Sequence, residues 1–526
     1  MFNKKYNSNI TKIILTTISL SLIAFAMTSC SSNKTADATS NANETTISNQ
    51  TNTPSQNGEA PNPNGERPGE PPTPNSGCPG KPPVPNGERP DGPPSDENAF
   101  NMMGNQHNSI SYTALNTYDE DIEVQDLNES SSAKDESVIL VDKNITATIN
   151  NFKIDRTSSD STGGDTASFY GVGAATLVTN GTLNLNVGEI NTDSKGGAGV
   201  FAYGNGVANV NNVDIITKKD TSGGIHVAGG GTLYAANVNA TTSGESSAAI
   251  RSDRGGGKMV VDGGTFITNG SGSPAIYSTA NIEVNDAKLI ANNSEGICIE
   301  GLNSITLRDS ELTSTMPDLS QNDCTWSVIV YQSMSGDSKI GKGTFNMEGG
   351  TLTTKNGGVF YTTNTESEFN IKNVVINATE DSEFLLKATG NNNQRGWGAK
   401  GANGASCTFN AREQKMSGKI IYDSISTLDI NLLEGTTYTG YIVRDDNAAN
   451  GASTDGHANL TIDENSHWLV SGDSELKTLT IKGSNDFLSY ITDSDNNEVK
   501  IIDTNGKVLH EGTSPYTITV NELTMN

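Results

Sequence analysis

A recurring row of reactive side chains stands out in the central part of the chain. Each position follows a small residue and an apolar one, as in Ala249-Ile250 and Ala275-Ile276. If the apolar residue points inward on a strand, alternation turns the next residue, and the one two further on, outward. Aromatic rings beside a few charged groups favour sugar binding, because the C–H faces of a pyranose stack on rings. The outward strip predicted in this way consists of Tyr203, His226, Arg251, Asp253, Tyr277, Glu300 and Tyr331.

Two tryptophans occur in segments that the pattern assigns to loops beside the outward strip. Trp326 ends an insertion that begins at Met316, and Trp397 lies in the run 390–398, which is rich in glycine and asparagine. Large aromatic side chains on loops are seldom needed for packing, so we add both to the candidate ligand-binding residues. The alternative is a packed ladder whose outward side chains stack on one another, with Trp397 anchoring its own loop.

Asp253 and Glu300 are the two carboxylates of the strip that could catalyse a reaction. Two coils of a stacked solenoid separate their Cα atoms by about 9–10 Å. That is near the upper end of the ~6.5–9.5 Å carboxylate separation of inverting glycosidases. A polysaccharide hydrolase or lyase acting in the strip is therefore the alternative to a binding protein. The chain lacks HExxH, GxSxG, P-loop and dinucleotide-binding motifs in a fitting context. No catalytic residue, metal site or cofactor is therefore assigned, although calcium in the acidic loop 155–165 is an alternative.

A ten-residue phrase that recurs about every 24 residues determines the predicted fold. It reads apolar, any, apolar, four mostly polar residues or glycines, apolar, any, small. Alternation within the phrase indicates strands, and the repeat length indicates one coil of a solenoid per phrase. The LxxLxL spacing of leucine-rich repeats is absent, and a propeller blade needs ~40 residues or more. The copies are Leu183–Thr192, Ala208–Thr217, Leu233–Thr242, Met259–Thr268, Ile282–Ala291, Ile305–Ser314, Phe345–Thr354 and Phe369–Ala378.

The sequence therefore predicts an all-β chain folded as a single-stack right-handed parallel β-helix. Each coil has about four or five inward side chains, too few for a coil to be stable alone, so the coils must stack and the ends need caps. We assign residues 138–420 to the β-helix and 106–137 to an N-terminal cap. Residues 421–526 are assigned to shorter C-terminal coils and a closing cap.

The first 30 residues read as a bacterial lipoprotein signal peptide. A basic segment with Lys4 and Lys5 precedes the apolar run Ile13–Met27, which is shorter than the ~20 residues that span a bilayer. The run leads into Cys30, which resembles the lipidated cysteine of a lipobox; ordinary secretion is the alternative. Residues 31–105 are rich in proline, asparagine and serine, which predicts a disordered linker. The expected location is the extracytoplasmic face of the cell membrane, attached through lipid.

Charge and cysteine content narrow the possible partners. Thirty-four Lys and Arg residues against 61 Asp and Glu residues give a net charge of −27. Such a chain repels phosphate backbones, which argues against a nucleic-acid partner.

Once Cys30 is set aside, no CxxC pair or disulfide framework is present. Cys298 and Cys324 could form a bridge, but inert thiols are the preferred interpretation.

Four segments carry a resemblance to a known architecture: Gly224–Gly231, Ala248–Gly257, Ser273–Tyr277 and Tyr331–Asp337. They resemble β-helix surface proteins of anaerobic gut bacteria, and the architecture is similar to that of the pectin-lyase-like superfamily. The resemblance implies a β-helix and places the outward strip where pectin-lyase-like enzymes hold substrate; it implies no particular activity. We therefore expect a lipid-anchored, adhesin-like surface protein that binds carbohydrate or another surface ligand.

Overall fold

The computed structural model describes residues 110–483 and 486–526. The predicted signal peptide, Cys30 and the linker 31–105 lie outside the described residues. Within the described residues, regular structure is almost entirely β-strand. Of the helices described, none is long and apolar enough to cross a membrane.

The strands are numbered here in chain order. The first ten are β1 Thr113–Tyr118, β2 Ile122–Ser131, β3 Glu136–Val141, β4 Thr146–Ser158, β5 Thr176–Ser194, β6 Val200–Thr217, β7 Ile225–Ala228, β8 Gly231–Thr242, β9 Ile250–Ser252 and β10 Gly257–Thr268. The next fourteen are β11 Ile276–Ser278, β12 Asn281–Asn285, β13 Lys288–Ala291, β14 Ile297–Glu300, β15 Ser304–Arg308, β16 Glu311–Ser314, β17 Trp326–Tyr331, β18 Gly343–Glu348, β19 Thr351–Thr354, β20 Gly358–Thr363, β21 Glu366–Lys372, β22 Val375–Ala378, β23 Leu386–Ala388 and β24 Ser406–Arg412. The last twelve are β25 Lys415–Ser417, β26 Ile420–Tyr422, β27 Thr427–Leu433, β28 Thr437–Gly440, β29 Ile442–Arg444, β30 His457–Ile462, β31 His467–Val470, β32 Ser474–Ile481, β33 Ile491–Asp493, β34 Lys500–Asp503, β35 Val508–His510 and β36 Thr517–Met525. The helical pieces are the α-helix α1 Gly164–Tyr170 and the 3₁₀ turns Asn447–Ala449 and Phe487–Ser489.

Most strands lie parallel to their counterparts one coil earlier. Thirty-two strands belong to one hydrogen-bonded set, and β25, β28, β31 and β33 form a second. The inward positions stay in register from coil to coil: Ile250 pairs with Ile276, Ile276 with Ile297, and Ile297 with Val328. β34 and β35, near the C-terminal end, pair antiparallel. The predicted all-β parallel β-helix is confirmed.

Inward side chains from successive coils form one continuous apolar core. Isoleucine, valine, leucine and alanine line most of it. In the middle coils Phe345, Phe360, Phe369 and Phe409 stack with ring centroids 5.5 to 6.3 Å apart. Full burial of such a side chain contributes ~1.5–3 kcal/mol. The repetition of this gain along the stack is what makes the solenoid stable although a single coil is not.

A bend with a left-handed backbone separates the two strand segments of each phrase. Asn212, Asn237 and Asp286 occupy this bend with φ of 54°, 53° and 51°. Asparagine and aspartate tolerate that conformation better than other residues with a Cβ. Val187 occupies the same bend with φ 54°, where a β-branched side chain is strained. The polar or glycine residues in the middle of each phrase therefore have a backbone role.

Candidate functional site

The outward strip follows the register that alternation predicts along its first coils. One column contains, in order, Phe201, His226, Arg251, Tyr277 and Cys298. Glu300 pairs with Tyr331 in the neighbouring column. Further along, Ile329 pairs with Tyr361, whereas strict continuation of the small–apolar pattern would have turned Phe360 outward. Phe360 instead belongs to the central core.

The expectation that the outward strip is exposed is wrong. Its side chains point away from the central core, but α1 and the loops 316–325, 332–342 and 390–403 supply residues that pack over them. Tyr203 is half-buried. The strip residues His226, Arg251, Asp253, Tyr277, Glu300 and Tyr331 are at most 4% exposed. The strip is thus part of a second packed layer, as in the alternative of outward side chains that stack on one another, and not an open groove.

Arg251, Asp253 and His226 form a buried cluster beneath α1. Arg251 Nε donates to Asp253 Oδ2 at 2.6 Å, and Arg251 Nη2 donates to Ser168 Oγ of α1 at 3.0 Å. His226 Nε2 lies 3.2 Å from the same Asp253 oxygen, and the His226 and Phe201 ring centroids are 4.1 Å apart. Burial lowers the pKa of His226 to about 4. Burial alone would raise the pKa of Asp253, but the Arg251 charge and the His226 contact hold it below its usual value.

Glu300 is the centre of a second polar network, which fastens the loop 332–342. Tyr277 Oη donates to Glu300 Oε2 at 2.8 Å, and Tyr331 Oη donates to the same oxygen at 3.3 Å. The Ser333 hydroxyl, on the loop, donates to Oε1. Burial raises the pKa of Glu300, although these hydrogen bonds favour its charged form and oppose the rise.

Arg254 joins two of the covering segments. Its guanidinium carbon lies 4.2 Å from the ring centroid of Phe169 in α1, and its Nε donates to Asp337 of the loop 332–342 at 3.1 Å. The layer over the strip is therefore held by charge and hydrogen bonds as well as by apolar contacts. As a result, the carboxylates of Asp253 and Glu300 are both enclosed and engaged by neighbouring side chains.

A narrow, partly open depression lies where the loops 316–325 and 390–403 meet. The ring centroid of Trp326 lies 5.1 Å from that of Tyr361 and 6.3 Å from that of Trp397. The structure thus brings the two predicted tryptophans together. The expectation that Trp326 lies on a loop is wrong, because it is the first residue of β17 and is 2% exposed. We call this feature the aromatic depression; its walls include Trp326, Trp397, Tyr361, Asn322, Asp323 and Arg395.

Three buried polar atoms of the aromatic depression have no hydrogen-bond partner within the described part of the chain. They are Trp326 Nε1, Asn322 Nδ2 and Asp323 Oδ1. The other polar atom of each loop side chain is held from across the depression. Arg395 Nε donates to Asn322 Oδ1 at 2.7 Å, and the backbone N–H of Asn392 donates to Asp323 Oδ2 at 2.6 Å. An unpaired buried polar atom costs ~1–3 kcal/mol, so three together call for an explanation beyond packing.

Sequence reasoning found the tryptophans of this site and missed its polar members. Asn322 and Asp323 precede Trp326 in the same insertion, and Arg395 precedes Trp397 in the other. Polar side chains within four positions of a loop tryptophan were the available signal. Nothing in the local pattern indicated that the two insertions meet.

The cysteines and the metal-ligating residue types do not form a second site in the described chain. Cys298, Cys324 and Cys407 are free thiols in buried positions. Burial raises the pKa of Cys324 and of Cys407 to about 12, so both stay protonated and unreactive at neutral pH. Among the described residues, no group of three or more His, Cys, Asp or Glu side chains could hold a metal ion.

Comparison of the chain with protein-family models, with curated proteins and with solved structures found no match. The function is therefore inferred from the geometry of the chain itself.

Proposed function

We propose that the chain is a lipid-anchored, adhesin-like protein of the cell surface that binds carbohydrate at the aromatic depression. The observation that supports this proposal is the buried Trp326 indole N–H, which lacks a partner among the described residues and lies beside the Trp397 and Tyr361 rings. Asn322 and Asp323 line the same depression, and each also has a buried polar atom without a partner among the described residues. Apolar rings with a few convergent polar groups are the usual lining of small-ligand sites.

A carbohydrate suits this lining better than a purely apolar or a purely charged ligand. The Trp326, Tyr361 and Trp397 rings are at most 7% exposed, so a sugar reaches this lining through a substituent. A hydroxyl substituent satisfies donors and acceptors together. Arg395 contributes a guanidinium 5.4 Å from the Trp397 ring centroid, which adds further donors at the site. The Asp323 carboxylate on the opposite wall balances that charge, so the site favours no net charge on the ligand.

The membrane attachment rests on the apolar run Ile13–Met27 and on Cys30. A linker of the composition of residues 31–105 would hold the β-helix away from the bilayer. We expect Cys30→Ala to abolish incorporation of labelled palmitate and partition into a detergent phase. Labelling that persists in this variant would place the lipid elsewhere.

A polysaccharide hydrolase or lyase acting in the outward strip is the less supported function. Such an enzyme needs its acid and base at the bond that breaks. Asp253 is bound to Arg251, Glu300 is enclosed by the loop 332–342, and neither side chain is more than 1% exposed.

A glycan array probed with the full chain tests the proposed binding. The detergent must lack a sugar headgroup, because alkyl glycosides would compete for the site. We expect retention on a subset of glycans, without release of reducing ends or unsaturated uronates when the matching polysaccharides are incubated with the protein. Release of either product would support the enzyme instead.

Substitution at the depression locates the binding. Trp397→Ala removes a wall of the site and should weaken retention at least about tenfold, since aromatic contacts dominate such sites. Tyr234→Ala is the matched control, because Tyr234 is an aromatic residue, 41% exposed, on another strand face. Equal retention of the wild type and of a folded Trp397→Ala variant would place the binding surface elsewhere.

A further inference from the structure

The three unpartnered atoms of the aromatic depression specify the chemistry of the group that would satisfy them. Trp326 Nε1 and Asn322 Nδ2 are hydrogen-bond donors, and Asp323 Oδ1 is an acceptor. A group that meets all three must donate one hydrogen and offer lone pairs to two N–H groups.

A sugar hydroxyl has this capacity, because it carries one donor hydrogen and two lone pairs. A carboxylate only accepts, so it would leave Asp323 facing a second negative charge. An ammonium only donates, so it would leave the Trp326 and Asn322 donors unpaired. Of the three substituents, only the hydroxyl is complementary to the site.

The position and rigidity of the site agree with a single inserted hydroxyl. The depression is narrow, which suits one substituent entering from the mouth better than a whole pyranose ring. Asn322 and Asp323 are already held by Arg395 and by the Asn392 backbone. Little side-chain freedom is therefore left to lose when a ligand binds.

We propose that the aromatic depression recognises a neutral sugar by enclosing one of its hydroxyls between Trp326, Asn322 and Asp323. The inference rests on the proposed function and sharpens it, because it names a neutral hydroxyl as the group that is read. The sugar position that enters the site must carry a hydroxyl, and an amino or carboxylate group there weakens binding.

The test titrates the full-length protein with the methyl glycosides of glucose, galactose and mannose, followed by tryptophan emission. Two of the three tryptophans lie in the site, and the third, Trp468, already donates its indole N–H to Gly440 O at 3.0 Å. The monodeoxy series of the glycoside that binds is then titrated, together with the amino analogue at each position. We expect removal of one particular hydroxyl, or its replacement by an amino group, to weaken binding about tenfold or more.

The Asn322→Asp variant tests the hydroxyl proposal independently, because it keeps the side-chain shape and exchanges the free donor for an acceptor. Affinity for the parent glycoside should fall about tenfold, and the amino analogue at the critical position should gain. Asn292→Asp, at an exposed asparagine outside the depression, is the control and should leave both affinities unchanged. If every monodeoxy sugar binds as well as its parent, the hydroxyl inference is overturned while carbohydrate binding stands. If no neutral glycoside and no arrayed glycan binds, both proposals fail.

Discussion

The pH dependence of stability tests the buried cluster of His226, Asp253 and Arg251. The side chain of His226 is 1% exposed, and burial lowers its pKa from 6.5 to about 4. Because the folded state then binds fewer protons than the unfolded state, the contribution of His226 to stability is complete above pH 6.5. It is lost progressively as the pH falls from 6.5 to about 4.

The size of the effect follows from the difference between the two pKa values. The drop from 6.5 to about 4, at about 1.36 kcal/mol per unit, gives about 3 kcal/mol. Asp253, whose pKa is held below its usual value, keeps its charge over most of this interval. His226→Gln removes the titrating ring. The stability advantage of the wild type over this variant should therefore shrink by about 3 kcal/mol between neutral pH and pH 4.

Urea unfolding of the wild type and His226→Gln, followed by tryptophan emission from pH 4 to pH 7.5, measures this difference. The variant also loses the ring contact with Phe201, so it should be less stable than the wild type at neutral pH. That loss is independent of pH and cancels in the comparison. His457→Gln, at a partly exposed histidine of the C-terminal coils, controls for substitution of a histidine outside the cluster. A stability gap between wild type and His226→Gln that stays constant down to pH 4 would refute the assignment of a buried neutral imidazole.

Four further substitutions test the packed layer and the coil geometry. Ile276→Ala should reduce the free energy of unfolding in urea by ~2–5 kcal/mol, because it opens a cavity in the central core. Tyr277→Phe removes the hydrogen bond to Glu300 and should lower the free energy of unfolding by ~1–3 kcal/mol. An unchanged free energy of unfolding would indicate that the Tyr277 side chain is exposed. Glu300→Gln should gain stability relative to the wild type as the pH rises above 4.5, since burial raises the Glu300 pKa and disfavours the charged form. A pH-independent difference would contradict this. Val187→Asn should raise the melting temperature, because relief of the left-handed strain at a position 55% exposed is worth about 1 kcal/mol; an unchanged melting temperature would argue against that strain.

The direction of each side chain could be predicted from the sequence because it is a local property. Alternation along a strand and a recurring phrase are sufficient to stack Ile250 on Ile276 and to turn Arg251 and Tyr277 away from the core. The predicted side-chain direction is wrong at Phe360, because packing with the neighbouring phenylalanines places its ring in the central core. Composition likewise placed Trp397 on a loop, but it wrongly placed Trp326 there, since Trp326 begins β17.

What covers those outward side chains was decided only by the tertiary structure. Ser168, which binds Arg251, is 83 residues away from it in the chain, and the Asn392 backbone that holds Asp323 is 69 residues away. A pattern of period two carries no information about which distant loop folds over a strand. By itself the sequence therefore determined an all-β solenoid, its inward core and its outward column. Burial of that column, and the meeting of Trp326 with Trp397, arose because the insertions gain more by packing on the exposed rings than by staying in water.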